Sequence, residues 1–305
     1  MDASMIVAIS NRIRVLGCFL MIFFPVSTAF CAEKSARPAL PQDANQLVRQ
    51  VIDNELKVSD QDHTHWMYQQ QSQDGEKTTI KQVVEAKDCD VDLTVAANGK
   101  PLTAEERQRE QERIKKLVTD PDEQKKKMKA AQQDAEKATD MFKMLPDAFL
   151  YEYAGKTRSL VKLTFKPNPN FHPPSREAQV FHAMEGTMWV NPKEMRLAEL
   201  DGQLSQDVQF FGGLIGHLDK GGRFSVKRTE LAPGHWETTL LNVHMNGKVI
   251  IFKSINLQQN DSMSHFRRVP TDLSPAQAAE ILTKSGFAGA SSEAIAAESR
   301  GGTGN

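Results

Sequence analysis

Cysteine is scarce in this chain of 305 residues, which contains only three. Cys18 lies in an apolar segment near the N-terminus, which leaves Cys31 and Cys89 for the rest of the chain. Two cysteines cannot build the disulfide framework that holds small exported domains together. The fold must therefore be stabilised by a hydrophobic core, and the roughly 270 residues after that segment are enough to form one.

The short motifs of the common enzyme classes are also missing. The chain contains no G-x-S-x-G nucleophile elbow, no P-loop, no dinucleotide-binding glycine fingerprint and no H-E-x-x-H zinc motif. Cys89 has neither a C-x-x-C partner nor a neighbouring histidine, which argues against a catalytic thiol. We therefore expect no catalytic residues, no resident metal and no cofactor, and hence a function other than catalysis.

Charge of one sign is not in excess. The formal net charge is −1 and the mean hydropathy is −0.48, which are typical of a polar globular protein. A chain so close to neutrality has no general attraction for nucleic acid or for an anionic membrane. We therefore expect no nucleic-acid partner.

The first 32 residues have the pattern of a secretory signal peptide. Arg12 and Arg14 form a basic region, and residues 15–24 form an apolar core that is too short to span a bilayer. Ala29 and Ala32 are both suitable last residues of the signal. The pattern predicts a periplasmic or otherwise exported protein, with no integral membrane span once the signal is removed.

The surroundings of Cys31 argue against a lipid anchor. A lipoprotein signal has a small residue just before the cysteine and leucine three residues before it. This chain has Phe30 and Thr28 at those positions. We therefore expect Cys31 to carry no acyl chain.

Helical patterns are found before and between the predicted strands. A helix is predicted over residues 43–57, because its apolar residues share one face: Leu47, Val48, Val51 and Ile52. A second helical segment, 103–145, opens with the capping box Thr103–Glu106 and is divided by Pro121. Because this segment is highly charged and its apolar residues are sparse, we expect a solvated helical hairpin outside the sheet that can be deleted without unfolding it. The alternative is that the hairpin is a partner-docking arm.

Alternation of apolar and polar residues predicts short strands on both sides of the charged hairpin. The strands after it fill residues 149–269, and Asn246-Gly247 is a strong signal for a two-residue β-turn. Successive strands with local turns favour an antiparallel meander. The sequence predicts one α+β domain over residues 33–269, with the hairpin as an insertion, followed by a short helix and a disordered tail over residues 270–305.

Two patterns suggest a metal site but lack the full ligand set. His63 and His65 are two apart on a predicted strand, with no third ligand nearby in the sequence. The segment Asp88–Asp92 resembles the start of a calcium loop, but Leu93 occupies the position that requires glycine. Exposed positions on strands account for both patterns, so we expect no metal ligands here.

Large apolar residues are unusually frequent in the strands after the hairpin. The candidate ligand-binding residues are Phe165, Trp189, Phe210, Phe211, Leu214, Phe224 and Trp236. Such residues most often pack inside a core. The alternative is that one face of the sheet is incompletely covered and accepts an apolar ligand.

The segment Gly186–Gly202 holds a glycine turn, an apolar-aromatic pair, Asn191-Pro192 and a leucine-bearing strand. Together with the N-terminal helix and the closing strands Val249–Ile255 and His265–Val269, it resembles the outer-membrane lipoprotein-sorting superfamily. This superfamily includes the periplasmic lipoprotein carrier and the lipid-sensing regulator of an anti-sigma factor. The chain departs from it in the charged hairpin, and it has no clear counterpart of the arginine that holds the carrier closed.

The resemblance implies a strongly curved antiparallel sheet, an unclosed half-barrel around short helices, whose concave face takes acyl chains without catalysis. Two functions therefore remain open. The first is binding of a lipid or lipopeptide in envelope transport or sensing. The second is an envelope scaffold with a fully packed sheet, whose charged hairpin docks a protein partner.

We predict that the signal is removed after Ala29 or Ala32, because a basic, apolar and small-residue order directs cleavage at such sites. Intact-mass measurement of the protein from its native host will test this. A mature protein that retains Met1, or one that carries a diacylglyceryl group on Cys31, would contradict the prediction.

Overall fold

An antiparallel sheet dominates the computed structural model, which describes residues 40–210, 216–249 and 253–284. Thirteen strands are present in these residues, and the sheet is not closed. The predicted α+β class and antiparallel sheet are confirmed. The predicted signal peptide, the C-terminal tail and the candidate residues Phe211 and Leu214 lie outside the described residues.

The strands before and just after the helical segment are β1 (His65–Asp74), β2 (Lys77–Val84), β3 (Val91–Ala97), β4 (Lys100–Pro101), β5 (Phe149–Lys156), β6 (Val161–Pro167) and β7 (Met184–Asn191). The remaining strands are β8 (Arg196–Leu204), β9 (Val208–Phe210), β10 (Gly216–Leu218), β11 (Arg223–Ala232), β12 (His235–Val249) and β13 (Lys253–Val269). Their order in the sheet is β4-β3-β2-β1-β13-β12-β11-β8-β7-β6-β5, and β10 pairs with both β12 and β9. The first strand therefore pairs with the last, and β4 and β5 lie at the two ends.

The α-helices begin at or next to the residues where the sequence predicts them, whereas a 3-10 helix occupies residues inside the predicted strand region 149–269. They are α1 (Ala44–Gln61), α2 (Ala104–Thr119), α3 (Pro121–Ala148), a 3-10 helix (Glu177–Ala183) and α4, residues 275–284. The Asp43 side chain caps α1, and the predicted capping box between Thr103 and Glu106 is formed at the start of α2. Pro121 is the first residue of α3, where a missing N–H is tolerated.

Helices cover the two faces of the sheet at different places. We call the face against which α1 packs the α1 face. The apolar stripe of α1 is fully buried there in the larger core, together with Leu241 of β12 and Phe149 of β5. On the opposite face, α2 and α4 pack on the first three strands, where Ile114 and Leu282 contact the cluster around Leu93. The sheet is thus two-sided, with a different helical cover on each side.

Two glycines allow close packing of neighbouring strands in the segment that carries the family resemblance. Gly186 and Gly202 are cross-strand partners in β7 and β8. A Cβ atom on Gly202 would lie 2.2 Å from a ring carbon of Phe224, and one on Gly186 would lie 1.9 Å from the carbonyl oxygen of Asp201. No side chain fits at either position, so both are glycine because of contacts across the sheet.

Charged side chains of the helical insertion satisfy the outer edge of β3. Glu110 accepts a hydrogen bond from the Thr94 backbone N–H at 2.7 Å, and Arg113 donates to the carbonyl oxygen of Asp92 at 2.6 Å. Lys127 donates to the carbonyl oxygen of Asp90 at 2.8 Å. An exposed strand edge is a template for aggregation, and these contacts cover it.

The insertion is therefore more than the solvated hairpin that its composition suggests. Ile114 and Leu117 of α2, and Ala138 and Leu145 of α3, are buried. Arg49 of α1 also contacts Asp147 near the end of α3, at 2.6 Å. Sparse apolar residues are sufficient here because Ile114 and Leu117 pack in the cluster around Leu93, and Leu145 packs in the larger core. Deletion of residues 103–145 should consequently expose the edge of β3 rather than leave the sheet intact.

We predict that Asp92→Asn lowers the free energy of unfolding by about 2 kcal/mol at pH 7. Burial alone would raise the pKa of Asp92, but Lys127, Lys81 and Arg113 outweigh it and lower the pKa from 3.8 to about 2. A carboxyl group with a lowered pKa stabilises the fold above its unfolded pKa, and this contribution is lost as pH falls through 2.

Chemical denaturation at several pH values will measure this difference between wild type and variant. Asp88→Asn is the matched control, because Asp88 is exposed in the same segment. A difference between wild type and Asp92→Asn that stays constant from pH 7 to pH 2 would contradict the electrostatic explanation.

Candidate functional site

A buried ion cluster fastens α1 to the sheet. The carboxylate of Glu55 lies between two arginines, and only 5% of the residue is exposed. Its Oε1 accepts hydrogen bonds from Arg196 Nε at 3.0 Å and from the Leu197 backbone N–H at 2.7 Å. Its Oε2 accepts from Arg228 Nη1 at 2.5 Å. We call Glu55, Arg196 and Arg228 the α1 lock.

The remaining donors of the two arginines tie the α1 lock to the turn between β11 and β12. Arg196 Nη1 donates to the carbonyl oxygen of Gly234 at 2.9 Å, and Arg228 Nη2 donates to that of Trp236 at 2.8 Å. The Trp236 indole N–H in turn donates to Glu194 at 2.8 Å. One carboxylate on a helix thus organises three strands.

Electrostatics keep Glu55 ionised. Burial raises the pKa of this carboxyl, but the charges of Arg228 and Arg196 and their hydrogen bonds outweigh burial, so the pKa is lower than usual. A buried ion cluster of this kind is strongly destabilised when one partner is removed, because a charge is left without its counterion. The position of α1 therefore depends on Glu55.

The C-terminal end of α1 is held by a second polar contact. Asp62 accepts a hydrogen bond from the Thr64 backbone N–H at 2.9 Å and lies 3.0 Å from Nδ1 of His235. Burial raises the pKa of Asp62, and the bonds from Thr64 and His235 outweigh it, so the pKa is lowered. The Thr64 hydroxyl lies 3.4 Å from the same Nδ1. Because the hydroxyl and the carboxylate face one ring nitrogen rather than opposite ones, Thr64, His235 and Asp62 do not have the geometry of a catalytic triad.

On the α1 face, a polar strip on β13 and β1 lies beside the apolar residues of β12, and the apolar Leu257 and Met263 of β13 flank it. Leu241, Val243 and Met245 of β12 are buried in the core that packs against α1. Asp261 of β13 pairs with Leu241 on one side and with Ser72 of β1 on the other, and cross-strand partners point to the same face. The partly buried Gln259 and Gln70 continue this polar strip along β13 and β1: both share the face with Asp261 by alternation.

Asp261 is the most deeply buried acid in the described residues, with 2% of the residue exposed. Gln259 Nε2 donates to its Oδ2 at 2.7 Å. The other oxygen, Oδ1, has no hydrogen-bond partner. A buried acceptor without a partner is costly, by about 1–3 kcal/mol, so it is seldom found without a role.

A shallow cleft lies beside the 3-10 helix, with a volume of about 290 Å³. It is lined by Pro173, Gln179, His182, Ala183, Gln206, Asp207, Val208 and Gln209. Most of these side chains are polar, and none belongs to the predicted ligand-binding set. The cleft is therefore not the apolar site that the sequence suggests.

The predicted ligand-binding residues within the described ranges do not lie on one open surface. Phe165 and Phe210 are buried in the larger core, and Phe224 packs against it. Trp236 is buried beside the α1 lock. Trp189 lies on the opposite face of the sheet, because its neighbours Met188 and Val190 are in the core, and Lys162 Nζ lies 5.4 Å from its ring centre.

The histidines and acids that suggested a metal site in the sequence are exposed or bound to neighbouring protein groups. His63 is exposed, whereas His65 is buried with its Nδ1 at 3.2 Å from the carbonyl oxygen of Glu85. Asp92 binds Arg113 and Lys127 of the insertion and Lys81 of β2. Within the described ranges, no group of three His, Cys, Asp or Glu residues is arranged to hold a metal ion.

Sequence reasoning missed the α1 lock and Asp261. Glu55 follows Val51 and Ile52 at helical spacing, so a charge in line with the apolar stripe was an available signal for a buried partner. Asp261 offered a weaker one, since it alternates with Met263 on a strand. Nothing in the sequence identified Arg196 and Arg228 among 38 basic residues.

Comparison with known proteins gives no relatives: no family model, no curated protein and no solved structure matches this chain. Among the described helices, none is both long and apolar enough to cross a membrane.

We predict that Glu55→Gln lowers the free energy of unfolding by about 3–5 kcal/mol, because it leaves Arg196 and Arg228 buried without a counterion. Urea denaturation at pH 7 will measure the loss. Asp53→Asn removes an exposed charge from the same helix and should change stability by less than about 0.5 kcal/mol. Equal effects of the two substitutions would show that the cluster does not hold α1.

Proposed function

We propose that this chain is an exported, non-enzymatic binding protein that takes an acyl chain, lipid or lipopeptide on its α1 face, in envelope transport or sensing. The observation that carries the proposal is the nature of the cover on this face. The largest apolar surface of the sheet is covered by α1, the end of α3 and the 3-10 helix rather than by a second sheet. A helix can leave such a surface while the strands keep their hydrogen bonds.

The path of α3 supports a curved, half-barrel sheet. Lys127 contacts the β3 side of the sheet, and α3 ends at Ala148, next to β5. The helix between them is about 32 Å long at 1.5 Å per residue. Along the sheet, β3 and β5 are nine strand spacings apart, or about 43 Å. The shorter path through the helix favours a sheet that curves toward α3.

Energetic balance supports the exchange of α1 for a lipid chain. Full burial of the four apolar side chains of the α1 stripe stabilises the closed form by about 6–12 kcal/mol. An acyl chain with about 14 methylenes would contribute about 11 kcal/mol if it were buried on the same surface. The two terms are close, so the α1 lock would decide which occupant prevails.

We predict that fatty acids, phospholipids or a lipopeptide perturb the tryptophans of the α1 face and not Trp189. Trp66 and Trp236 remain in a Trp189→Phe variant, whose fluorescence should change on titration because both lie on the α1 face. A Trp66→Phe/Trp236→Phe variant retains only Trp189, on the opposite face, and should respond little.

Hydrogen–deuterium exchange will test the movement of α1 directly. Bound lipid should increase hydrogen–deuterium exchange in residues 44–61. The Glu55→Gln variant should bind lipid faster than wild type, because its α1 lock is broken. Unchanged tryptophan emission, melting temperature and α1 exchange at saturating lipid would contradict the proposal.

A second candidate function is supported by the closed α1 face itself. In the described residues this face is occupied by the chain's own helices, which suits a scaffold that binds through its exterior. The exposed Met128 lies among the exposed lysines 125, 126 and 129 of α3 and would be part of a partner-docking surface on the charged helices. Failure of the lipid titration, combined with loss of a co-purifying envelope protein on Met128→Glu substitution, would favour this function.

A further inference from the structure

We propose that Asp261 is the head-group site of the α1 face, and that it selects a single-chain amphiphile whose head group donates a hydrogen bond, such as a primary ammonium. This inference rests on the proposed function, because it names the class of ligand that the α1 face takes. The supporting observations are the position of Asp261, its burial and the absence of a hydrogen-bond partner for its Oδ1.

Asp261 lies in the polar strip of the α1 face, beside the apolar residues of β12. Leu241 lies directly opposite it on β12, with Val243 and Met245 farther along the same strand and face. Ser72 lies opposite on β1. An amphiphile whose chain lies along β12 would therefore place its head group beside Asp261.

The Oδ1 of Asp261, which has no hydrogen-bond partner, determines which head group would bind. Gln259 already donates to Oδ2, so Oδ1 is the acceptor that remains for a ligand. Within the described residues, no cation lies within salt-bridge distance of Asp261. An ammonium group would supply both a donor and a positive charge, and such charge-assisted hydrogen bonds are strong. A carboxylate or phosphate head group would instead place a second acceptor against Oδ1, which disfavours it.

The same geometry separates a binding role from a structural one. A carboxylate that stabilises the fold would be surrounded by donors, and its substitution would destabilise the protein. Asp261 keeps an acceptor without a partner, which costs stability when the site is empty. Asp261→Asn can retain the bond from Gln259 through its Oδ1 and place its amide N–H₂ at the free position. The variant should therefore reject donors without loss of stability.

Isothermal titration with three amphiphiles of equal chain length, all below their micelle concentrations, tests the proposal. Wild type should bind dodecylamine at least tenfold more tightly than dodecanoate. It should also prefer dodecylamine to dodecyltrimethylammonium, which has the same charge but no N–H donor. Asp261→Asn should abolish both preferences, keep or raise the melting temperature, and still bind dodecanoate. Asp74→Asn, at an exposed acid of β1, should leave the preferences unchanged.

Three results would overturn the inference, and they separate it from the proposed function. Equal affinity of wild type for all three amphiphiles would rule out the head-group site but would leave the proposal of acyl-chain binding in place. A lower melting temperature of Asp261→Asn than of wild type, with the amphiphile preferences retained, would show that Asp261 has only a structural role. If wild type binds none of the three, the proposed function fails together with this inference.

Discussion

The carboxylate of Glu55 is the contact on which the arrangement of the molecule depends. It is the only charge that α1 carries into the core cluster of described residues, and it meets Arg196 of β8 and Arg228 of β11 there. Through those arginines it also fixes the turn at Gly234. Apolar packing alone would allow α1 to slide along the sheet, because it has no direction. The ion cluster fixes the register of the helix, because any displacement of Glu55 leaves buried charge without its counterion.

The charged insertion has a complementary task at the other end of the sheet. A sheet of this size whose first strand pairs with its last still has two free ends, at β4 and at β5. Glu110, Arg113 and Lys127 satisfy backbone groups of β3 that no neighbouring strand reaches. Their charge therefore has a structural origin as well as a solvating one, since side chains long enough to reach a strand edge are Glu, Arg and Lys. The same helices join the edge of β3 to the N-terminal half of α1, where Asp147 contacts Arg49.

Local signals predicted the parts of the fold that local physics decides. The capping box at Thr103, the break at Pro121 and the alternation in the strands specify elements, and the structure confirms them. Contacts between distant residues were not predictable: Glu55 and Arg196 are 141 positions apart, and no periodicity links them. The prediction of a solvated hairpin omits the contacts with the sheet for a related reason. Composition describes the average environment of α2 and α3, whereas individual residues such as Ile114 and Leu145 are buried in the cores of the sheet.

Polarity along the α1 face explains why apolar residues alone did not identify a site. The aromatic residues that the sequence singled out are mostly core, and Trp189 lies on the other face. What distinguishes this face is the step from Leu241 to Asp261 on adjacent strands. A core built only for stability would have leucine or valine at position 261, because a buried acceptor without a hydrogen-bond partner opposes folding. Retention of a carboxylate there is consistent with stability exchanged for recognition, as in other binding sites. The α1 lock and Asp261 would then have separate tasks, since the first controls access to the face and the second controls which head group stays.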